Sequence, residues 1–205
     1  MKRGLASVVA VAAAVLVATV SVVGAELELT PLVGIRIGGS LTAEPSGESL
    51  DLDDGVAFGL LLGFPLDDQS IVEVELVHHE TELRGGDLFN GEPLFELDVD
   101  SIMVGGSYRY GDNKVEGFVA GGLGVTRFSP DGAGLDDEYA VVLSIGGGAL
   151  IPVGKKLAVR LEGRGIGTFM LDETAVFCDE TVCGIIIDGD GFVQAEFRAG
   201  LTMKF

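Results

Sequence analysis

Residues 157–170 read LAVRLEGRGIGTFM, and within them Leu157, Val159 and Leu161 alternate with Arg160, Glu162 and Arg164. Successive side chains of an extended chain point to opposite faces, so such a strand has one uncharged apolar face and one face of mixed charge. Two settings accept it. A soluble sandwich buries the apolar face and wets the charged one, whereas a transmembrane barrel turns the apolar face to lipid and keeps the charges inside.

The same division recurs along the chain in eight segments bounded by Gly, Pro, Asn or Asp clusters, which predicts strands at 29–42, 55–66, 70–82, 96–110, 115–128, 139–151, 157–170 and 191–205. In the first, Val33, Ile35 and Ile37 oppose Arg36; in the second, Val56, Phe58, Leu60, Leu62 and Phe64 oppose Ala57, Gly59 and Gly63. Val72, Val74 and Leu76 oppose Glu73 and Glu75 in the third, and Val193, Phe197 and Leu201 oppose Gln194, Glu196 and Arg198 in the eighth. The connections alternate too. LDDQ, GDNK and PVGKK are brief, while the other four are long and acidic, as in a barrel with short turns at one membrane surface and long loops at the other. The reading is therefore all-β, an eight-stranded antiparallel up-and-down transmembrane β-barrel, with both termini on the short-turn side. Small inner residues suit the narrow interior of eight strands.

The segment before this pattern supports export. MKRGLASVVAVAAAVLVATVSVVGA carries Lys2 and Arg3, then an apolar run, then Val23 and Ala25 at small-residue positions, which predicts a signal peptide over 1–25 cleaved after Ala25. The alternative is a membrane anchor over Leu5–Val23. The barrel domain then covers 26–205. Loss of 1–25 takes the formal charge from −19 to −21, which excludes nucleic acid as a partner. Cys178 and Cys183, in an acidic stretch of an exported chain, predict a local disulfide; two cysteines without nearby histidines make a poor zinc site.

GFVQAEFRAGLTMKF (191–205) ends on the aromatic Phe205, and IMVGGSYRYGDNKVEGFVAGGLGVTRF (102–128) sets aromatic and basic residues before a tight turn and a glycine-rich strand after it. Both resemble the outer-membrane β-barrel domain family, which includes small OmpA-like, OmpX-like and opacity-type proteins. The resemblance implies an outer-membrane location, with Phe205 as the signal read by the barrel assembly machinery. Full-length OmpA-type proteins carry a peptidoglycan-binding domain after the barrel; none is expected after Phe205 here, so the resemblance implies no anchoring in the cell wall.

Inward parity collects Arg36, Glu73, Glu75, Arg160, Glu162, Arg164, Glu196 and Arg198 into an expected lumen charge network of four against four, with acids of the third strand reaching arginines of the seventh. Phe118 and Phe192 also fall inward, which a bulge or register shift would reverse. Phe64, Tyr108, Tyr110, Phe128, Tyr139, Phe169 and Phe205 are expected in interfacial girdles.

Candidates for chemistry are few. His78 and His79 alternate to opposite faces and so cannot share one ion without a bulge, and Ser101 is a conceivable partner of one of them in lipid hydrolysis. GGLG (121–124) and SIGGGALIPVG (144–154) lack the helix of a phosphate loop, and DGDG (188–191) lacks the rest of a calcium loop. No cofactor is expected. The long connections 43–54, 80–100, 129–138 and 171–190 hold 5, 7, 4 and 6 acids, offset only by Arg84, and predict diffuse divalent-cation binding and bridging to lipid headgroups. The leading expectation is a non-enzymatic envelope protein with a plugged lumen and a structural or interaction role. A narrow channel or carrier for small solutes is the second, and a lipid-modifying enzyme the third.

Overall fold

The computed structural model describes residues 27–44, 48–84, 93–112, 114–131, 137–170, 176–178, 183–187 and 191–205, and for 41–44, 48–50, 83, 93–95, 112, 176–178 and 183–187 the backbone alone. The expected signal peptide and its cleavage point lie outside the described residues. Eight long strands make a closed antiparallel barrel: β1 (Glu28–Ile37), β4 (Gly55–Pro65), β5 (Ser70–Arg84), β6 (Pro93–Asp112), β7 (Val115–Pro130), β8 (Glu138–Pro152), β9 (Leu157–Met170) and β12 (Phe192–Lys204). Each pairs with its neighbour in sequence, and β12 closes onto β1 in a register running from Glu28 opposite Lys204 to Ile37 opposite Ala195. The Phe205 amide adds one more bond across this seam, donating to the Leu27 carbonyl at 2.9 Å. Closure leaves no open end in the ring of these eight strands, the condition for strands to cross a bilayer.

Two sequence expectations are corrected. The first strand does not run unbroken over 29–42: Gly38 and Gly39 adopt φ of 77° and 112°, end β1 and redirect the chain. Such conformations are strained for other residues. In addition, parts of the acidic segments are ladder and not loop. β2 (Ser40–Glu44), β3 (Glu48–Leu52), β10 (Val176–Cys178) and β11 (Cys183–Ile187) extend the sheet at the long-connection end, and β3 takes the place of β4 beside the top of β5, where Asp51 opposes Arg84. The 80–100 connection is likewise an extension of the β5–β6 hairpin in its described parts, with Glu82 opposite Glu96.

The barrel is apolar outside. Ile145 is 77 % exposed, Val193 73 % and Phe197 64 %, while Arg160 is 1 % and Glu196 2 % exposed. A soluble fold could not tolerate this inversion, because burying charge and wetting apolar surface both cost free energy. The lumen is layered. Phe118, Leu150 and Ala158 pack at the short-turn end, and Ala57, Val77, Met103, Val142 and Ile166 pack toward the other, with the charges between them. The glycine strings line the wall that faces the long charged side chains. A Cβ at Gly146 would lie 2.5 Å from Arg164 Cβ, and one at Gly148 1.9 Å from the Leu161 carbonyl oxygen.

The short turns carry their own bonds. At 66–69 the Asp67 carboxylate accepts the amides of Gln69 (2.8 Å) and Ser70 (2.7 Å), and these bonds hold its pKa below the usual carboxylate range. The stabilisation is therefore complete above the ordinary Asp value and is lost as pH falls through the depressed one. A carboxyl-carbon NMR titration is expected to show Asp67 titrating below the ordinary aspartate value; an ordinary midpoint would refute the turn assignment.

Candidate functional site

The eight charges expected in the lumen meet in one continuous chain of ion pairs. Arg36 donates to Glu196 (2.8 Å from Nε), which also accepts from Arg164 (2.9 Å). Arg164 reaches across the lumen to Glu75 (3.0 Å), and Arg198 donates to the same carboxylate and to Glu162 (2.9 Å). Arg160 then joins Glu162 (2.9 Å) to Glu73 (2.7 Å), where Ser107 also donates (2.8 Å). The order is Arg36, Glu196, Arg164, Glu75, Arg198, Glu162, Arg160, Glu73, so every group lies between opposite charges except at the two ends. Neighbouring rungs of β9 and β12 are themselves complementary, Arg164 opposite Glu196 and Glu162 opposite Arg198. The planar guanidinium forks of Arg160, Arg164 and Arg198 pair with two carboxylates each.

A buried charge is tolerable only when paired and hydrogen-bonded, and these eight are nearly all so. Among the described residues, Arg198 Nε is a buried atom of the network without a partner. A cavity of about 20 Å³ remains, bordered by Glu73, Glu75, Glu162, Arg164 and Arg198 on one side and Gly105, Ala120, Gly122 and Gly146 on the other. That volume holds about one water molecule.

Phe118 and Phe192 do point inward, without a bulge at either. Phe118, 1 % exposed, presents its ring to the Arg160 guanidinium, 4.2 Å from the centroid. This cation–π contact explains why an aromatic side chain occupies a charged lumen. Phe192 packs on Phe128, their centroids 6.2 Å apart, and both are buried. Phe128 is therefore a lumen residue and not a girdle residue. Of the other expected girdle residues, Tyr108 and Tyr110 are exposed near the short turns, Tyr139 and Phe169 near the opposite end and Phe205 at the chain end, while Phe64 is half-buried; Phe58 and Phe197 also face outward.

A second buried pair escaped the sequence reading. Arg109 donates through both terminal nitrogens to Glu28 below the main network, at 2.9 Å from Nη1, and Lys204 Nζ lies 3.5 Å from the same carboxylate. Alternation in SYRYGD, with Tyr108 and Tyr110 outward, would have placed Arg109 inside. Glu28 was missed because the first strand begins one residue before its expected start.

The histidines part as alternation requires. His79 is 1 % exposed in the lumen, its Nδ1 3.3 Å from the Val56 carbonyl, while His78 faces outward beside Asp100. Ser101 bonds Thr126 within the lumen and no histidine, so the pairing needed for Ser–His hydrolysis is not assembled. Cys178 and Cys183 stand opposite each other in the β10–β11 pairing. The expected disulfide itself rests on side chains outside the described set. Residues 188–190 of DGDG are likewise outside the described residues, as are 45–47, 85–92, 132–136, 171–175 and 179–182 of the acidic segments.

No family model and no curated protein matches the sequence. The fold does match solved structures. Neisserial surface protein A (NspA) superposes with a TM-score of 0.58 at 15 % identity, over 87 % of this chain and 97 % of that one. The outer membrane protein AlkL, solved by solid-state NMR in DMPC bilayers, gives 0.56 at 14 % identity, over 89 % of this chain and 90 % of that one. The chain has the architecture of the small eight-stranded outer-membrane barrels.

Proposed function

From an eight-stranded outer-membrane barrel as premise, we propose that this protein is a non-enzymatic envelope component with a plugged lumen, exported through cleavage after Ala25, seated in the outer membrane, and presenting its acidic connections outside. The observation that supports it best is the unbroken chain of eight buried charges across the lumen, which occupies the space an ion path would need. The bilayer is its solvent, and the C-terminal strand ending at Phe205 is the part offered to the assembly machinery. The acidic connections gather divalent cations diffusely near lipid headgroups. The disulfide between Cys178 and Cys183 pins the last of them, as their opposed positions allow. A structural or surface-interaction role then rests on the connections and not on chemistry in the barrel.

The test is electrical. Protein reconstituted in a planar bilayer is expected to show no steady single-channel current. Reproducible conductance steps from the folded protein would overturn the plugged lumen and favour a solute channel.

A further inference from the structure

Outward on β5 and β6, above the last apolar rung of Leu76 opposite Ile102, come two polar rungs: His78 opposite Asp100, and Glu80 opposite Asp98. A membrane-crossing strand needs about 9–11 residues, and β5 begins at Ser70, so these rungs lie at the rim where lipid tails give way to headgroups. The arrangement is specific. His78 Nδ1 lies 2.8 Å from Asp100 Oδ1, and Asp100 is held in turn by Arg127 Nη2 at 3.0 Å, so the imidazole is oriented with Nε2 turned toward Glu80 Oε1, 3.5 Å away. One ligating atom from each of His78, Glu80 and Asp98 lies within 4.8 Å of the other two.

The geometry points to a divalent-metal site on this rim, in which His78 Nε2 and the carboxylates of Glu80 and Asp98 hold one late first-row cation such as Zn²⁺, with Asp100 as the positioning residue. Three observations carry it. The pairing of Asp100 with Nδ1 is the carboxylate–histidine arrangement that fixes tautomer and ring direction behind a metal-bound imidazole. Zn²⁺ takes imidazole nitrogen at about 2.0–2.1 Å and carboxylate oxygen at about 2.0–2.2 Å, so adjacent ligands of a tetrahedron sit roughly 3.4 Å apart. The Nε2 to Glu80 distance already matches such an edge, and rotation of the exposed Asp98 side chain closes the rest. Finally, directly opposed carboxylates repel, and among the described residues no Lys or Arg ion pair relieves Glu80 or Asp98. A cation between them removes that repulsion. The donor set selects against Ca²⁺ and Mg²⁺, which prefer six or more oxygen ligands. The fourth position opens to solvent and headgroups.

The protein contains two histidines, His78 and His79, so a histidine-labelled sample in phosphatidylcholine bilayers gives two assignable rings. Zn²⁺ is added with excess Mg²⁺ present to saturate diffuse binding. One equivalent is expected to shift the His78 Nε2 resonance and leave His79 unmoved. Glu80→Gln and Asp98→Asn each weaken binding at least about 10-fold, and Asp100→Asn weakens it about 10–100-fold while changing the His78 tautomer in the metal-free protein. Asp68→Asn, at the opposite end, changes nothing. Folding of each variant is checked by its gel shift on heating. Zn²⁺ binding that survives His78→Ala, that Mg²⁺ abolishes, or that never shifts His78 overturns the site and leaves only diffuse attraction to the acidic connections.

Discussion

Glu75→Gln destabilises the barrel by about 3–5 kcal/mol, because it withdraws the carboxylate shared by Arg164 and Arg198 and leaves two guanidinium groups under-paired in a closed lumen. Glu75 is 7 % exposed, and the nearby cavity of about 20 Å³ admits too little water to compensate. Urea unfolding in lipid vesicles measures the loss. Coupling at the neighbouring link gives an internal control. Glu73→Gln and Arg160→Met each break the 2.7 Å pair between them, and the double variant recovers about 0.5–3 kcal/mol relative to the sum. Strictly additive losses would show that the eight charges do not act as one network.

Phe118→Ala has an effect of similar size by a different route. Removing a buried phenylalanine costs about 3–5 kcal/mol through lost contacts and the cavity left behind. Here the ring also supports the Arg160 guanidinium, a contact of up to about 2 kcal/mol when desolvated. The two contributions overlap, since both report on one packed layer with Leu150 and Ala158. The variant is expected to unfold at lower urea, and the space opened below Arg160 to admit water and a small ion leak absent from the parent. A stability unchanged within about 1 kcal/mol would mean that the short-turn layer is not a packed seal.

Strand number, strand order and the inside-out polarity were legible in the sequence alone. Each depends on period-two alternation and on the spacing of turn residues, which are local properties of 157–170 and its seven counterparts. The inward set Arg36, Glu73, Glu75, Arg160, Glu162, Arg164, Glu196 and Arg198 was legible by the same parity. Which carboxylate meets which guanidinium was not. Glu75 and Arg198 are 123 residues apart, and only closure of β12 onto β1 brings their walls face to face across the lumen. Closure likewise gives Phe118 a cation to cover and sets Phe128, inward by the same parity as Phe118, against Phe192, contacts that alternation within a single strand cannot specify. The break at Gly38 and Gly39 and the ladder built from acidic segments escaped for a related reason: glycine permits an extended chain as readily as a turn, and charged residues extend a ladder once neighbouring strands supply backbone partners. Sequence thus determined which face each side chain takes, and the tertiary structure decided what it meets there, because pairing across a lumen is set by closure and shear of the whole sheet.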